Sequence, residues 1–329
     1  MPSTKESVLW LLENARGESL SGQQLAQRLG VSRTAVWKAV EALKGEGHRI
    51  EAVSNRGYRL RTDSDVLTSS ALAPWLPAGY DPALLHVYDQ VESTNTTAKQ
   101  LAAAGAPEGT FVVASRQSGG KGRRGRSFFS PQGGVYCSIV LRPNLPAEES
   151  TRITTAAAVQ VCRTIEEVCT IQPAIKWVND LLVEGKKICG ILTEASLDLE
   201  TGMPEYVVLG VGVNLCAPEG FPAELDPIAG ALYGQLPPGL TRGRFAAELL
   251  ARLWGISALC TQDQVIEEYR RRCPLVGRTV RVVGEAPRSA RVLGITDSCG
   301  LLVEYADGAR RELHSGEVSI RPAEEGWDF

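Results

Sequence analysis

Residues 116–126, RQSGGKGRRGR, bring together five cationic side chains (Arg116, Lys121, Arg123, Arg124 and Arg126) and four glycines, with no acid among them. Arginine and lysine offer donors to phosphate or carboxylate oxygens. Glycine removes the Cβ that blocks close approach of backbone to ligand. A loop this basic and pliant is expected to repel itself when empty and to order around an anion. Two readings of this stretch stand side by side: an anion-binding loop, or a solvated basic surface of the kind that meets nucleic acid. It lacks the G-K-[ST] ending of a Walker A loop, and no helix opens behind it as a dinucleotide-binding turn requires.

Three further stretches carry polar groups where chemistry needs them. In the run from Lys176 through Trp177, Val178, Asn179 and Asp180 to Val183, a strand carries a lysine inward, bends at Asn179-Asp180 and re-forms as a strand. The turn at 184–187 then leads into a strand over 188–195. Ser93, Thr94 and Asn95 stand at the mouth of a helix, where they serve either as a cap or as the walls of a site for a small polar head group. Gly210 and Gly212 thin one face of a strand over 206–215, the pattern of close backbone or ligand approach.

The elements that must position these groups follow from the pattern. Segments 5–16, 21–29 and 33–44 read as helices, the second and third capped by Ser21 and Ser32, with Val36, Val40 and Leu43 on one face of the third. The alternating IEAVSNRGYRL, broken at Asn55-Arg56-Gly57, is a two-stranded hairpin. Two short helices joined by a tight turn, then a hairpin, resemble a winged helix-turn-helix. Its outward residues Ser32, Arg33, Thr34, Trp37 and Lys38, with Arg56 at the wing tip, are of the types that reach phosphates and base edges; a helical interaction module is the alternative. Residues 1–61 carry ten Lys/Arg against six Asp/Glu, about +4, while the whole chain is at -3. A basic module on an acidic body points to partners of two kinds.

A strand near 84–88, a helix to Ala104, strands at 111–115 and 135–141, a helix over 150–168 and the strands above make an α+β domain with its helices to one side of a mixed, largely antiparallel sheet. Helices around 243–260 and 262–272 close it. From 275 onward short strands alternate with turns, one of them at Gly284, as in a small SH3-like barrel. The expected division is 1–62 winged helix, 63–82 linker, 83–274 catalytic domain and 275–329 barrel. With 329 residues and 22% charged side chains the chain has the composition of a soluble protein. Its eight cysteines form no C-x-x-C pair, and no signal pattern or membrane-length apolar run appears. Reduced, buried thiols in the cytoplasm, and no membrane partner, are expected.

Residues 119–126 (GGKGRRGR), 176–192 (KWVNDLLVEGKKICGIL) and 210–215 (GVGVNL), in a chain ordered winged helix, α+β domain, small barrel, resemble the bifunctional bacterial biotin protein ligases that double as biotin operon repressors. The resemblance spans nearly the whole chain, and the basic loop and KWxNDL stretch together are specific. It implies that ATP and biotin form biotinyl-5′-AMP, whose acyl group passes to a lysine of the biotin carboxyl carrier protein, with Mg²⁺ carried on the ATP oxygens. It implies operator DNA as a second partner and homodimerisation on binding ligand or DNA.

On the same basis Lys176, Arg123 and Asp180 are the catalytic candidates. Lys176 would touch carboxylate and α-phosphate; Asp180 would orient Lys176 or help take the acceptor's proton. Ser93, Thr94, Asn95, Gln117, Lys121, Gly122, Arg123 and Lys176 would meet biotin. Gly120, Lys121, Arg123, Arg124, Arg126, Phe128, Asn179, Lys187 and Asn214 would meet the nucleotide. Three positions depart from the family pattern. Lys121 stands for the usual arginine and loses its planar fork. Phe128 stands for a tryptophan and keeps only stacking. Val178 stands for the proline of KWPND and sets the bend less rigidly. A lipoate- or octanoate-type ligase of the same fold, and a non-enzymatic ligand-sensing transcription factor, are the other functions weighed; the arginine-rich loop argues against the first, and Lys176, Asn179 and Asp180 against the second.

Overall fold

Each N-terminal helix begins where a serine can accept from the helix's orphan amides. Ser3 and Glu6 form a capping box on α1 (Thr4–Asn14), Ser21 and Gln24 another on α2 (Gly22–Leu29), and Ser32 caps α3 (Arg33–Gly45). Gly30 ends α2 in the left-handed conformation. Val8, Leu9, Leu12, Leu25, Val36, Val40 and Leu43 close a core among the three helices with no exposed surface, each contributing roughly 1.5–3 kcal/mol. Strands β1 (Ser19–Leu20), β2 (Ile50–Val53) and β3 (Gly57–Leu60) make an antiparallel sheet in the order β1-β3-β2. Gly57 is required there: its φ is 101°, and a Cβ would fall 2.2 Å from the Leu20 carbonyl oxygen.

The computed structural model describes residues 3–146, 149–198, 200, 202–217, 222–283, 288–314 and 319–322; the turn expected at Gly284 lies outside them. Residues 63–82, which the sequence offers as a linker or a short docking segment, are docked. They form the short helix α4 (Ser69–Leu72), bury Leu67, Leu72 and Tyr80 in the main core, and place Asp65 on Arg242, whose Nε donates to Oδ2 at 2.6 Å.

The central sheet has seven strands: β4 (Leu85–Val91), β5 (Phe111–Gln117), β6 (Val135–Leu141), β7 (Ala174–Lys176), β8 (Asp180–Val183), β9 (Lys186–Leu197) and β10 (Pro204–Val213). Their order is β4-β5-β6-β10-β9-β8-β7, with β4 parallel to β5 and every other pair antiparallel. The helices are not confined to one side. The long α6 (Ser150–Cys169) and α7 (Arg242–Leu253) share a core with Phe111, Val113, Ile139, Val207 and Leu209. Helix α5 (Thr94–Ala103) packs Ala98 and Ala102 on Val112, Val140 and Val208, the alternate residues of the same strands. The period-two alternation of a strand makes both faces apolar here, and α5 covers only part of the second.

The single helix expected over 243–260 is two, α7 and α8 (Ile256–Leu259), because Gly255 turns left-handed at φ 86° between them. Helix α9 (Asp263–Arg272) follows. Five antiparallel strands, β11 (Thr279–Val283), β12 (Arg288–Ile295), β13 (Leu301–Tyr305), β14 (Arg310–Leu313) and β15 (Ser319–Pro322), then pair in the order β14-β13-β12-β11-β15. Among the described residues no β14–β15 ladder closes this sheet into a ring. All eight cysteines are free thiols, seven of them buried. No helix among the described residues is long and apolar enough to cross a membrane.

Candidate active site

The α5 face of the central sheet is left open beyond α5, and register decides what lies on it. Gly210 pairs with Ser138 and Leu192, Gly212 with Gly190, and Val208 with Glu194. Paired residues point to the same face, so Ser138, Gly190, Leu192, Glu194, Gly210 and Gly212 all face the side that α5 occupies. The glycines hold this floor low. A Cβ on Gly210 would fall 2.0 Å from Asn95 Oδ1, one on Gly212 2.7 Å from the Phe128 ring, and one on Gly190 2.8 Å from the same ring. The cleft above the floor has two lobes, joined at Gly122, Arg123, Phe128, Asn179 and Lys187.

The deep lobe is walled by Ser93, Thr94, Asn95 and Gln117. Ser93 sits at the N-cap position of α5, but its side chain makes no cap bond, and Thr94 and Asn95 bond across to the sheet. Thr94 donates from its backbone N–H (2.8 Å) and its hydroxyl (3.1 Å) to Gln117 Oε1, and Gln117 Nε2 donates to Ser130 Oγ at 2.8 Å. The buried Ser138 hydroxyl lies 2.8 Å from Thr94 Oγ1 and 2.6 Å from Asn95 Oδ1. Asn95 Nδ2 donates to Glu194 Oε2 at 2.8 Å and to the Leu192 carbonyl at 3.3 Å. Sequence reasoning missed Ser130, Ser138, Gly190 and Glu194. The usable signal was polar residues in strands otherwise apolar, Ser138 within VYCSIVL and Glu194 within β9.

The outer lobe is cationic. Lys176 ends β7 and Asp180 begins β8, with a cis Trp177–Val178 peptide between. Asp180 holds Lys187 Nζ at 2.7 Å and Lys176 Nζ at 3.6 Å. Burial pushes its carboxyl up, but the charges of Lys187, Lys176 and Arg123 outweigh this and hold it below the ordinary carboxylate value. Arg123 donates to Asn179 Oδ1 at 3.2 Å, and burial lowers its guanidinium from the usual value against the pull of Asp180. Asn179 also donates to the Ile191 carbonyl at 2.8 Å. Lys187 Nζ stands 5.4 Å from the centre of the Phe128 ring, within cation–π range. The corner is held from behind: Trp177 Nε1 donates to the Cys299 carbonyl at 3.0 Å and the Tyr269 hydroxyl to that of Val178 at 3.1 Å.

The basic loop spans both lobes. Its backbone is bonded within the loop, Gly122 N–H to the Arg126 carbonyl (2.7 Å) and Phe128 N–H to that of Gly120 (2.8 Å). The charges also diverge. Arg116 turns to Asp89 outside the cleft, Lys121 donates to Thr96 Oγ1 at 2.9 Å, and Arg124 and Arg126 line the outer lobe. Gly120 packs beneath the loop, where a Cβ would meet the Phe128 carbonyl oxygen at 2.3 Å. Asn214 follows the end of β10 at Val213, and its Nδ2 donates to the Gly230 carbonyl at 2.9 Å.

On the winged helix, Arg33, Thr34 and Trp37 of α3 share a shallow recess with the β2–β3 hairpin, Trp37 is 54% exposed, and Lys38 and Arg56 are exposed. The Ser32 hydroxyl is spent on the Ala35 N–H, 3.1 Å away.

Helix-turn-helix with wing, mixed sheet with a neutral-to-cationic cleft, and a small antiparallel sheet, in that order, define a ligase-type catalytic body behind a DNA-binding-type module. Family models match each part: an HTH domain over residues 4–59, the biotin/lipoate A/B protein ligase family over 87–214 and the biotin protein ligase C-terminal domain over 275–321. The chain is 42% identical over 230 residues to the bifunctional ligase/repressor BirA of Bacillus subtilis (strain 168), covering 69% of this chain and 70% of that one. It is 27% identical over 315 residues to BirA of Escherichia coli (strain K12), covering 94% and 95%. The biotin protein ligase from Aquifex aeolicus in complex with biotin and ATP matches at a TM-score of 0.60 and 25% identity, over 73% of this chain and 99% of that one. The chain belongs to the family of biotin protein ligases of the bifunctional ligase/repressor type.

Proposed function

We propose that this protein joins biotin to ATP, giving biotinyl-5′-AMP and pyrophosphate, and passes the biotinyl group to a lysine of the biotin carboxyl carrier protein. One observation carries the reading: a lobe walled by the hydrogen-bonding Ser93, Thr94, Asn95 and Gln117 opens directly into a cationic one. The hydrogen-bond valences of the deep lobe favour a ureido head. Both Asn95 amide hydrogens are on protein acceptors, so its oxygen is what it has left to accept with, while Gln117 Nε2 retains one hydrogen to give. A ligand carrying N–H donors beside a carbonyl satisfies both. The apolar head of lipoate or octanoate would leave them unpaired, at a cost of roughly 1–3 kcal/mol each.

In the outer lobe two anions must meet. Lys176, Lys187 and Arg123 offset the repulsion between carboxylate and α-phosphate and the charge that builds as the carboxylate oxygen attacks and pyrophosphate leaves. Asp180, held ionised by two ammonium groups, suits the orienting of Lys176 better than accepting a proton from the incoming amine. That amine attacks the acyl carbon and AMP departs, while the loop over the cleft keeps water off the anhydride. Among the described residues Asp180 is the one carboxylate lining this rim and is already ion-paired, so Mg²⁺ is expected to arrive on the nucleotide's oxygens. The winged helix is the operator-binding half, in a cytoplasmic protein whose copies pair when ligand or DNA binds.

The test offers wild type ATP with biotin, lipoate or octanoate and no acceptor. Release of pyrophosphate and retention of an acyl-adenylate with biotin alone supports the reading; adenylate from lipoate or octanoate, or from none, overturns it. For the second half, Arg33→Ala is expected to weaken operator binding with adenylation unchanged; an equal fall in adenylation would undo the separation of roles.

A further inference from the structure

Glu194 is a charged residue within the sheet, partly buried on β9 and outside the cationic rim. One carboxylate oxygen, Oε2, accepts from Asn95 Nδ2 at 2.8 Å; the other is ion-paired with Lys99 of α5. Burial pushes this carboxyl up, but the bonds from Lys99 and Asn95 and the nearby charge of Lys121 hold it below its ordinary value, so it is an acceptor only. The remaining Asn95 donor faces the Leu192 carbonyl at 3.3 Å, a long bond that would hold the amide weakly by itself. Asn95 has little room for other placements: its Oδ1 lies against the bare Cα of Gly210, and the Ser138 hydroxyl, 2.6 Å away, can either donate or accept. Ser138 therefore does not choose the amide's direction, and Glu194 does.

We propose that Glu194 is a specificity-determining positioning residue: by holding the Asn95 amide with its hydrogens on the protein, it commits that wall of the deep lobe to accepting from ligand N–H groups. With the amide reversed, the same wall would present a donor to a donor. The inference rests on the biotin reading of the cleft. Because Glu194 acts on the head-group end, its loss is felt in the concentration of biotin required and not in the rate at saturation.

The experiment measures acyl-adenylate formation against biotin concentration, with ATP saturating, in wild type, Glu194→Ala, Asn95→Ala and the double variant, with Lys99→Met as a control that removes the ion pair and spares the amide bond. Glu194→Ala is expected to raise half-saturating biotin about 10-fold with the saturated rate kept. In the Asn95→Ala background the same change is expected to add nothing, since its target is gone. Lys99→Met is expected to match wild type. The proposal is overturned if Glu194→Ala leaves half-saturation unchanged, if its effect is as large without Asn95 as with it, or if Lys99→Met reproduces it. Failure of wild type itself to turn over biotin would instead strike the proposed function, so the two failures are told apart.

Discussion

The two lobes of the cleft are built on one sheet face, yet by opposite means. The deep lobe is nearly saturated: Thr94, Asn95, Gln117, Ser130, Ser138 and Glu194 spend most of their capacity on one another, which leaves a few directed groups for a ligand. The outer lobe gathers Lys176, Lys187, Arg123, Arg124 and Arg126 around one carboxylate, so its field is strong and its geometry loosely specified. A closed network discriminates, because a wrong partner leaves buried groups unpaired. A cluster of like charges stabilises whatever negative charge develops within it. Selection and chemistry are thereby separated by the Phe128–Arg123 waist.

The largest expected effect tests the outer lobe. Lys176→Ala removes a cation from the place where charge builds and is expected to slow adenylate formation about 10²- to 10³-fold, the range for loss of one preorganised group, measured as pyrophosphate release. Next, Gly210→Ala and Gly212→Ala, two residues apart on β10, should separate the lobes. The first puts a methyl on Asn95 and is expected to raise half-saturating biotin at least ~10-fold, since a misplaced hydrogen-bonding group costs about 1–3 kcal/mol. The second displaces Phe128 and should act chiefly on the ATP requirement. If both variants shifted the same parameter, the waist would not divide the roles.

A smaller effect concerns the support of the outer lobe. Trp177→Phe leaves the Cys299 carbonyl without its donor and is expected to cost about 1–2 kcal/mol of stability, read in a denaturant titration, with the saturated adenylation rate lowered and half-saturating biotin kept. The smallest is an expected constancy. The folded pKa of Asp180 lies below its unfolded value of 3.8. Its ion pairs therefore stabilise fully above that value and are lost only as pH falls through the lower folded one. The adenylation rate should show no Asp180 step between pH 6 and 9. A step in that range that Asp180→Asn abolished would contradict the ion-paired geometry.

Much of this was legible in the sequence. Caps at Ser21 and Ser32 and the Asn55-Arg56-Gly57 turn mark the winged helix through local chemistry alone. The basic loop and the run from Lys176 to Asp180 announce cations near a bend, and Gly210 and Gly212 announce close approach. The illegible parts depend on pairing between distant segments. Ser138 and Glu194 matter because β6, β9 and β10 share a register, and no single strand reveals its partner. The bond from Asn214 to the Gly230 carbonyl likewise joins segments that no local pattern pairs. Gly255 breaks a helix whose apolar pattern runs on through it. The docking of residues 63–82 depends on Arg242, far along the chain.

The separation of selection from chemistry is tested most directly by single-turnover adenylate formation in Lys176→Ala and Gly210→Ala, each followed across a range of biotin concentrations. The account predicts that Lys176→Ala loses rate at saturation with half-saturating biotin near wild type, and that Gly210→Ala raises half-saturating biotin with its saturated rate near wild type. A lower saturated rate together with a higher half-saturating concentration in both variants would show that the two lobes act as one site and would contradict it.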